Sequence, residues 1–422
     1  MADITLESRM ERFRQRGLKW VLAPGALVIL YLFFGVFGIN YFSYPTLVNI
    51  IDAAYYFGFI AMGVTFVIIS GGIDLSIGTV MMCAAITGGT ALKHGFPMVP
   101  SLLLIIAMGA AFGVINGLLV SRLRMPPFIV TLGTMMVSMG LGSIISNVAS
   151  ATFPIRGQPG GWFKDIFLYL SPGGAIPTGA LLLAAVAVIC HLMLSSTKLG
   201  RYTYAIGSNL EAARLSGVDV RRWQLLVYVI AGTTAGIGGI SYAAIYTTVL
   251  PAQGQGFELN AIAAAVIGGT SLSGGSGTIW GTIIGVFIMS VLATGLPSLN
   301  LEAHYQTFFT GLIVIGAVLL DMYRTRKAAE VRIETPADAY RSGMLDKIAS
   351  LRQEAAGARR GNGDGRKAAA IQAQIAAART EMKATFARMK REEKAELARV
   401  RAQEKAADHE FAEMVRKTER QP

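Results

Sequence analysis

The sequence predicts an all-α polytopic membrane protein with about ten transmembrane helices, some of them interrupted, followed by a charged C-terminal tail. Of its 422 residues, 53% are hydrophobic and only 15% are charged, which is unlike a soluble domain. Apolar runs recur between residues 20 and 326, and most are long enough to cross a hydrocarbon core of about 30 Å as a helix. Residues 327–422 instead carry 21 basic and 15 acidic side chains. We therefore expect a cytoplasmic N-terminal segment at 1–19, a transmembrane domain at 20–326 and a cytoplasmic tail at 327–422.

Ten apolar runs are candidate spans, and the third and the eighth are short. They are Trp20–Ile39, Val48–Ile69, Ile77–Leu92, Pro100–Val120, Phe128–Asn147, Pro177–Leu194, Trp223–Thr247, Leu259–Leu272, Thr278–Leu296 and Tyr305–Met322. Cys83 and Cys190 both fall inside spans, so we interpret them as small buried hydrophobes rather than as a disulfide.

The distribution of Lys and Arg orients these spans, because short cytoplasmic loops collect basic residues. With a cytoplasmic N-terminus, the cytoplasmic segments hold Arg9, Arg12, Arg14, Arg16, Lys19, Arg122, Arg124, Lys198, Arg201, Arg214, Arg221, Arg222, Arg324 and Arg326. Only Lys93, Arg156 and Lys164 fall outside. Both termini are then cytoplasmic. We expect no nucleic-acid partner, because the basic residues of the body lie between apolar spans rather than on one face.

Small residues recur at four-residue spacing in several spans. Such faces let helix backbones approach closely in lipid, so we expect tight helix pairs there. The positions are Gly109, Gly113 and Gly117, then Gly232 and Gly236, and finally Gly281 and Gly285.

The stretch SGGIDLSIGT, Ser70 to Thr79, places a carboxylate among glycines between two apolar runs. Gly71 and Gly72 interrupt the helix, and Asp74 is a favoured N-cap for the helix that restarts after it. Non-helical backbone at this depth persists only when it is buried in protein or lines a wet cavity. Asp74 is therefore either a capping residue or a carboxylate that lines a solute path, and both roles can coexist.

A second stretch, GFELN at Gly256 to Asn260, repeats this pattern at the start of the eighth span. The threading places Asp74 towards the cytoplasm and Glu258 towards the outside, as expected for mates in a 5+5 inverted repeat. Inverted repeats with interrupted helices are typical of transporters, whose breaks border the substrate path. A rival alignment pairs GGIDLSIG with GGTSLSGG, Gly268 to Gly275, and puts both copies on one side.

Polar residues inside the spans are the candidates for a translocation path or a helix break. They are Gly72, Asp74, Ser76, Asn116, Glu258 and Asn260, with Asp52 as a further intramembrane acid. The scarcity of intramembrane charge favours a neutral solute. The sequence contains no H-E-x-x-H, no G-x-S-x-G and no Gly-Lys dipeptide, so we expect neither an enzyme nor a phosphate-binding loop.

The long cytoplasmic loop from Thr197 to Trp223 contains a predicted short helix. Asn209 can cap it and Gly217 can end it. A short amphipathic helix displayed there suggests a docking element.

Four motifs resemble the permease subunits of bacterial ATP-binding-cassette importers of the ribose type. They are SGGIDLSIG, MPPFIVTLGT, GSNLEAARLSGVDV and ELNAIAAAVIGGTSLSGGSGT, in that order. The resemblance implies that Glu211, Ala212, Ala213 and Gly217 belong to a coupling helix on an ATPase subunit. It also implies a periplasmic sugar-binding protein and a second permease subunit, as a homodimer. The permease then has no cofactor of its own, because ATP is bound by the ATPase, and it lies in the bacterial inner membrane. Asn260 departs from the aspartate expected in many relatives.

Two functions follow as alternatives: the permease of an ATP-driven importer for a monosaccharide or polyol, or an ion-coupled carrier of a small polar solute. The second would use Asp74 or Asp52 to couple a proton or sodium ion.

The charged tail fits neither function. Its part from Ala368 to Lys417 is rich in Ala, Glu, Lys and Arg, which predicts a long solvated helix or a partly disordered segment. A flexible linker at Gly357 to Arg366 precedes it.

Overall fold

The computed structural model describes residues 23–329 except 173 and 302, and in the tail residues 340–341, 343–351, 354, 370–392 and 395. The chain divides into two compact units, Arg12–Lys327 and a unit made of Met1–Glu11 with Ala328–Pro422. The basic residues of the N-terminal segment lie outside the described residues, so the predicted orientation stays a prediction.

The first unit is mostly helical. Its helices are α1 Ala23–Phe37, α2 Tyr44–Ile69, α3 Ile77–Lys93, α4 Met98–Ser121, α5 Pro127–Ile145, α6 Gly179–Ser196, α7 Lys198–Ser208, α8 Leu210–Leu215, α9 Val220–Tyr246, α10 Phe257–Ile267, α11 Ile279–Ser298 and α12 Ala303–Ala329. The unit also contains four short strands: β1 Ala151–Thr152, β2 Tyr169–Ser171, β3 Gly174–Ile176 and β4 Thr248–Val249.

Six helices in the described part of the chain are long and apolar enough to cross a membrane, namely α2, α4, α5, α6, α9 and α11. Shorter apolar helices occupy Ala23–Phe37, Ile77–Lys93, Phe257–Ile267 and Thr307–Gly316, where the sequence predicts the remaining spans. The protein is therefore a helical multi-pass membrane protein, and the total of ten spans stays a prediction.

Helix α2 is the centre of the bundle. Its residues from Ala53 to Ile69 are all buried, because the helix is apolar on every side and packs against α9, α10 and α11. The hydroxyls of Thr65 and Thr282 lie 2.8 Å apart and join α2 to α11. Cys83 and Cys190 are buried free thiols, as the sequence predicts.

The small-residue faces form the tight helix pairs expected from the sequence. A methyl group on Gly113 would lie 2.9 Å from the Val229 Cα, and one on Gly236 would lie 2.7 Å from the Ile106 Cα, so α4 and α9 pack backbone to backbone. Gly281 and Gly285 make the same kind of contact with the backbone of α10.

The strands lie at one end of the bundle, which we call the β-strand end. Strand β1 pairs antiparallel with β4, and β2 pairs antiparallel with β3 in a hairpin. A 3-10 helix, Gly161–Ile166, lies between β1 and β2. The Arg156 Nε lies 2.7 Å from Asp165 Oδ1, and its guanidinium also donates to the Leu168 carbonyl. These bonds hold the loop between β1 and β2 in a compact conformation.

The tail unit contains helical residues at 343–351 and 370–392. The Arg341 guanidinium lies 5.2 Å from the centre of the Phe386 ring, so the two segments are in contact. The predicted helix Ala368–Lys417 is thus helical over 370–392, and its remainder apart from 395 lies outside the described residues, as does the predicted linker at 357–366.

Candidate translocation and coupling sites

A non-helical break separates α2 from α3. Helix α2 ends at Ile69, and Gly71 takes a left-handed backbone with φ of +82° that few other residues adopt without strain. The Gly72 N–H donates to the Val67 carbonyl at 3.0 Å, so the end of α2 is closed by its own backbone. A methyl group on Gly72 would lie 2.7 Å from the Tyr228 hydroxyl. The break is therefore packed against α9.

Asp74 stabilises the break by accepting two hydrogen bonds from one residue. Its Oδ1 accepts from the Ser76 N–H at 2.9 Å and from the Ser76 hydroxyl at 2.7 Å. The expectation that Asp74 itself caps α3 is wrong, because the N-cap position belongs to Ser76. The chain stays non-helical for two residues beyond Asp74, so its carboxylate reaches the N–H of the cap residue and not those of the first turn.

Asp74 belongs to a buried polar cluster made of Asp74, Ser76, Thr79, Asn116 and Ser138. The Asn116 Nδ2 donates to the Ser76 hydroxyl at 2.9 Å, and the Ser138 hydroxyl donates to the Thr79 hydroxyl at 2.8 Å. The cluster therefore ties the break to α4 and α5. Within the described residues, the Asn116 Oδ1 has no hydrogen-bond partner, and neither has the hydroxyl of the neighbouring Tyr228.

Glu258 lies beside this cluster. Both of its carboxylate oxygens accept from the Gly256 N–H, at 2.9 and 3.0 Å, and they lie close to the first turn of α3, since a methyl group on Gly78 would lie 2.9 Å from Oε2. Because α10 is only 11 residues long, its start meets the start of α3 and brings the two acids near each other. The side of the membrane that each acid faces, and the inverted repeat, stay predictions.

Asn260 and Asp52, the two remaining polar candidates from the sequence, lie outside this polar cluster. Asn260 follows Glu258 by two residues on α10, so it lies on a different face of that helix, where it is half-buried. Asp52 is 17 residues before the end of α2, about 25 Å away along the helix. It is buried, and its Oδ1 has no hydrogen-bond partner within the described residues.

The predicted short helix in the long loop is present as α8. The Asn209 Oδ1 accepts from the Ala212 N–H at 2.9 Å, which caps the helix as predicted. Gly217 follows the last turn with φ of +81°, and its N–H donates to the Arg214 carbonyl at 3.0 Å. Glu211 and Arg214 form an exposed ion pair at 3.7 Å, which contributes little to stability. Helix α8 is thus held by its caps and by the buried Ala213.

Leu215 belongs to the helix that the sequence predicts, but it is not among the four residues to which the resemblance assigns coupling. It closes α8 and is 86% exposed, while Ala213 faces the body of the protein. A single exposed leucine is common on protein surfaces, but this one stands on a short, capped helix that projects from the bundle. Its position at the end of the helix, next to Ser216 and Gly217, is the signal that could have identified it.

Helix α7 joins α8 to the break through contacts between glycines. The Gly275 N–H donates to the Ile69 carbonyl at 2.9 Å, and a methyl group on Gly274 would lie 3.1 Å from the Gly71 Cα and 3.2 Å from the Gly207 Cα. We call these four glycines, Gly71, Gly207, Gly274 and Gly275, the glycine junction. Thus the loop GGTSLSGG of the rival alignment lies directly against the break.

Tyr204 fixes α7 beside this junction. Its hydroxyl donates to the Gly277 carbonyl at 2.7 Å. Burial raises the pKa of the Tyr204 phenol, so it stays protonated and remains a donor at neutral pH. Only one residue, Ser208, separates Gly207 from Asn209, the N-cap of α8.

Comparisons with known proteins find related import permeases. The family described as the permease component of the branched-chain amino acid transport system matches residues 46–318. The ribose import permease RbsC of Escherichia coli K12 is 35% identical over 301 residues, which cover 70% of this chain and 91% of the relative. The fructose import permease FrcC of Rhizobium meliloti is 33% identical over 339 residues, covering 78% and 91%.

A further relative transports a different solute by name. The autoinducer 2 import permease LsrC of Yersinia pseudotuberculosis is 34% identical over 311 residues, which cover 73% of this chain and 86% of the relative. No solved structure matches the chain. Because the family covers most of the chain and these relatives align over nearly their full length, the chain belongs to this permease family.

Proposed function

We propose that this chain is the membrane-spanning subunit of an ATP-driven importer for a neutral monosaccharide or polyol. A separate subunit hydrolyses ATP, and α8 carries the resulting movement to the membrane helices. The observation that carries the proposal is the capped, exposed α8, which connects through α7 and the glycine junction to the break before α3.

The energy source follows from the family and from the sequence. Permeases of ABC importers work with an ATPase subunit and a solute-binding protein, and the chain has no Gly-Lys dipeptide from which a phosphate-binding loop could be built. ATP is therefore bound by the partner, and the permease needs no cofactor of its own. A periplasmic sugar-binding protein delivers the solute, and a second permease subunit completes the complex. The complex lies in a bacterial inner membrane. The chain crosses this membrane ten times, and both of its termini are in the cytoplasm.

The coupling element consists of Glu211, Ala212 and Ala213 on α8, the turn at Gly217, and Leu215. Docking of α8 in a groove of the ATPase buries the Leu215 side chain, which contributes about 1.5–3 kcal/mol when an exposed leucine becomes fully buried. Because Gly207 at the end of α7 packs against the Ile69 carbonyl and the Gly275 nitrogen, a movement of α7 shifts the last turn of α2 and the break that follows it.

The solute path runs past the starts of α3 and α10. Gly72 lets the break pack closely, while Asp74, Ser76, Asn116, Glu258 and Asn260 supply polar groups there. The hydroxyl and amide groups of the cluster suit the hydroxyls of a sugar, and the names of the relatives, ribose, fructose and autoinducer 2, support a small polar solute.

The alternative is a carrier coupled to protons or sodium ions. The buried Asp52, with its unpartnered oxygen, is the observation that favours it. Such a carrier would take up solute without an ATPase and would leave α8 without a role.

Substitutions on α8 test the coupling. We expect Leu215→Asp to weaken assembly with the ATPase at least about tenfold, a loss of about 1.4 kcal/mol, and Glu211→Ala to lower sugar uptake per ATP hydrolysed. Both side chains are exposed, so the unfolding midpoint of the isolated permease should not change. Arg221→Ala, an exposed change outside α8, is the control and should leave uptake intact. Normal assembly and uptake in both α8 variants would remove the basis of the docking role.

A further inference from the structure

Asp52 is a buried acid near the start of α2. The helix starts at the β-strand end, where the Tyr44 hydroxyl donates to the Ala175 carbonyl of β3 at 2.6 Å. Only 8% of Asp52 is exposed. Within the part of the chain that the structure describes, Asp52 forms no ion pair and its Oδ1 accepts no hydrogen bond. A buried carboxylate without a partner is costly, so its place in the protein calls for a cation that can reach it.

The loop between β1 and β2, residues 153–168, packs onto α2 one turn from this acid. The ring centres of Tyr55 and Phe167 are 5.9 Å apart. A methyl group on Gly179 would lie 2.7 Å from the Tyr55 ring and 3.0 Å from the Phe167 Cα. Tyr55 follows Asp52 by three residues, so the two side chains are neighbours on one side of α2, with Cβ atoms about 5–6 Å apart. The β1–β2 loop therefore covers the side of α2 that carries Asp52.

The same loop is anchored on its other side to the end of α9. The Phe153 N–H donates to the Thr247 carbonyl at 2.8 Å, and the Lys164 ammonium donates to the Thr247 hydroxyl. Lys164 is 4% exposed, so it is held in place by its surroundings. A movement of the loop relative to α2 therefore turns about Thr247.

Arg156 is the cation of this loop that has a donor to spare. Its Nε donates to Asp165 Oδ1 at 2.7 Å, and its Nη2 donates to the carbonyls of Lys164 and Leu168. No hydrogen bond is made by its Nη1 within the described residues. Leu168 follows Phe167, so the guanidinium is at the part of the loop that packs on α2.

The charges of the loop and of α2 are complementary. The charged residues of the loop are Arg156, Lys164 and Asp165, which leaves one positive charge in excess above the negative charge of Asp52. The side chains of Arg156 and Asp165 are 30% and 43% exposed, and ion pairs in such positions contribute little to stability. Asp165 therefore holds Arg156 only weakly.

We propose that Arg156 is shared between two acids and moves from Asp165 to Asp52 when the β1–β2 loop closes on α2 during transport. The guanidinium then donates to the free Oδ1 of Asp52, and the closed loop keeps water away from this ion pair, which strengthens the attraction. This assignment deepens the proposed import function and rests on it. It gives Asp52 a role in an ATP-driven importer that needs no coupling ion.

A double-mutant cycle on the purified permease tests the exchange of acids. Asp165→Asn and Asp52→Asn are made singly and together, and chemical unfolding in detergent gives the unfolding constant of each variant. We expect Asp165→Asn alone to have little effect, because Asp52 takes over the guanidinium. In the Asp52→Asn background, Asp165→Asn should raise the unfolding constant at least about fivefold, because Arg156 then has no acid. Asp52→Leu replaces Asp52→Asn if the amide variant does not fold.

The matched control is the same cycle with Arg156→Gln, in which the two changes should act independently. An equal effect of Asp165→Asn with and without Asp52→Asn would overturn the proposal. Coupling that persists with Arg156→Gln would also overturn it, because the interaction would not pass through the guanidinium.

Uptake by vesicles that contain the ATPase and the binding protein tests the role in transport. Asp165→Asn should slow ATP-driven uptake at least about threefold, because Arg156 stays on Asp52 and the loop stays closed. It should slow uptake no further when Asp52→Asn is already present. Unchanged uptake in all three variants would overturn the proposal. The unfolding cycle needs no ATPase, so its failure is distinguishable from a failure of ATP-driven uptake by the unaltered permease.

Discussion

At the scale of single residues, the site consists of uncharged groups arranged around one carboxylate. Asp74 accepts both bonds that Ser76 offers, and Ser76 in turn accepts from Asn116. The sequence predicts the acid and the break, because paired glycines followed by an aspartate disfavour a continuous helix through an apolar run. It does not predict the bond between Asn116 and Ser76, since these residues are 40 positions apart and only the packing of α3 on α4 brings them together.

Replacing Asp74 separates its structural role from a role for its charge. Asp74→Asn keeps an oxygen that can accept from Ser76, whereas Asp74→Leu leaves buried donors unpaired at a cost of about 1–3 kcal/mol. We expect the leucine variant to lower the unfolding midpoint and to abolish uptake, and the asparagine variant to retain most of both. Equal, complete loss of uptake in two folded variants would instead assign the role to the charge.

At the scale of elements, the predicted positions of the spans hold better than their ends. A clear departure is at α10, which begins at Phe257, two residues before the predicted start of the eighth span, and ends at Ile267, five residues before its predicted end. The sequence PAQGQG before it contains a proline and two glycines, which explains why helix does not begin earlier. Its position against Gly78 depends on the long-range packing of α10 on α3, so no local pattern could have placed Glu258 there.

The link from α8 to the bundle is also an element-scale feature, and it depends on close contact at Gly207. A methyl group at Gly207 would overlap the Ile69 carbonyl and lie 2.6 Å from the Gly275 nitrogen. We expect Gly207→Ala to destabilise the detergent-solubilised permease by about 1–3 kcal/mol, because the backbones on both sides must move apart.

Gly140→Ala is the control for this change, since a methyl group there meets no atom within 4 Å and alanine favours helix. Chemical unfolding of both variants gives the comparison. Equal unfolding midpoints for Gly207→Ala and Gly140→Ala would show that the glycine junction is looser than its geometry requires.

At the scale of the whole molecule, composition is sufficient to predict a helical membrane protein, and four motifs are sufficient to predict the family. Neither the composition nor the motifs predict how the helices are arranged. The starts of α3 and α10 meet near α4, and α8 projects from the opposite side of the glycine junction. The match to the family ends at residue 318, and the charged tail lies beyond it. The residues proposed for the solute path and for coupling all lie within the region that matches the family, residues 46–318.

The central claim is that this permease moves solute only when an ATPase acts on α8. Vesicles that contain the permease, its ATPase subunit and its binding protein are compared with vesicles that lack only the ATPase, using a panel of labelled pentoses, hexoses and polyols. The account predicts sugar uptake that requires both the ATPase and ATP. Uptake of the same sugar by vesicles without the ATPase, driven by a proton or sodium gradient, would contradict it.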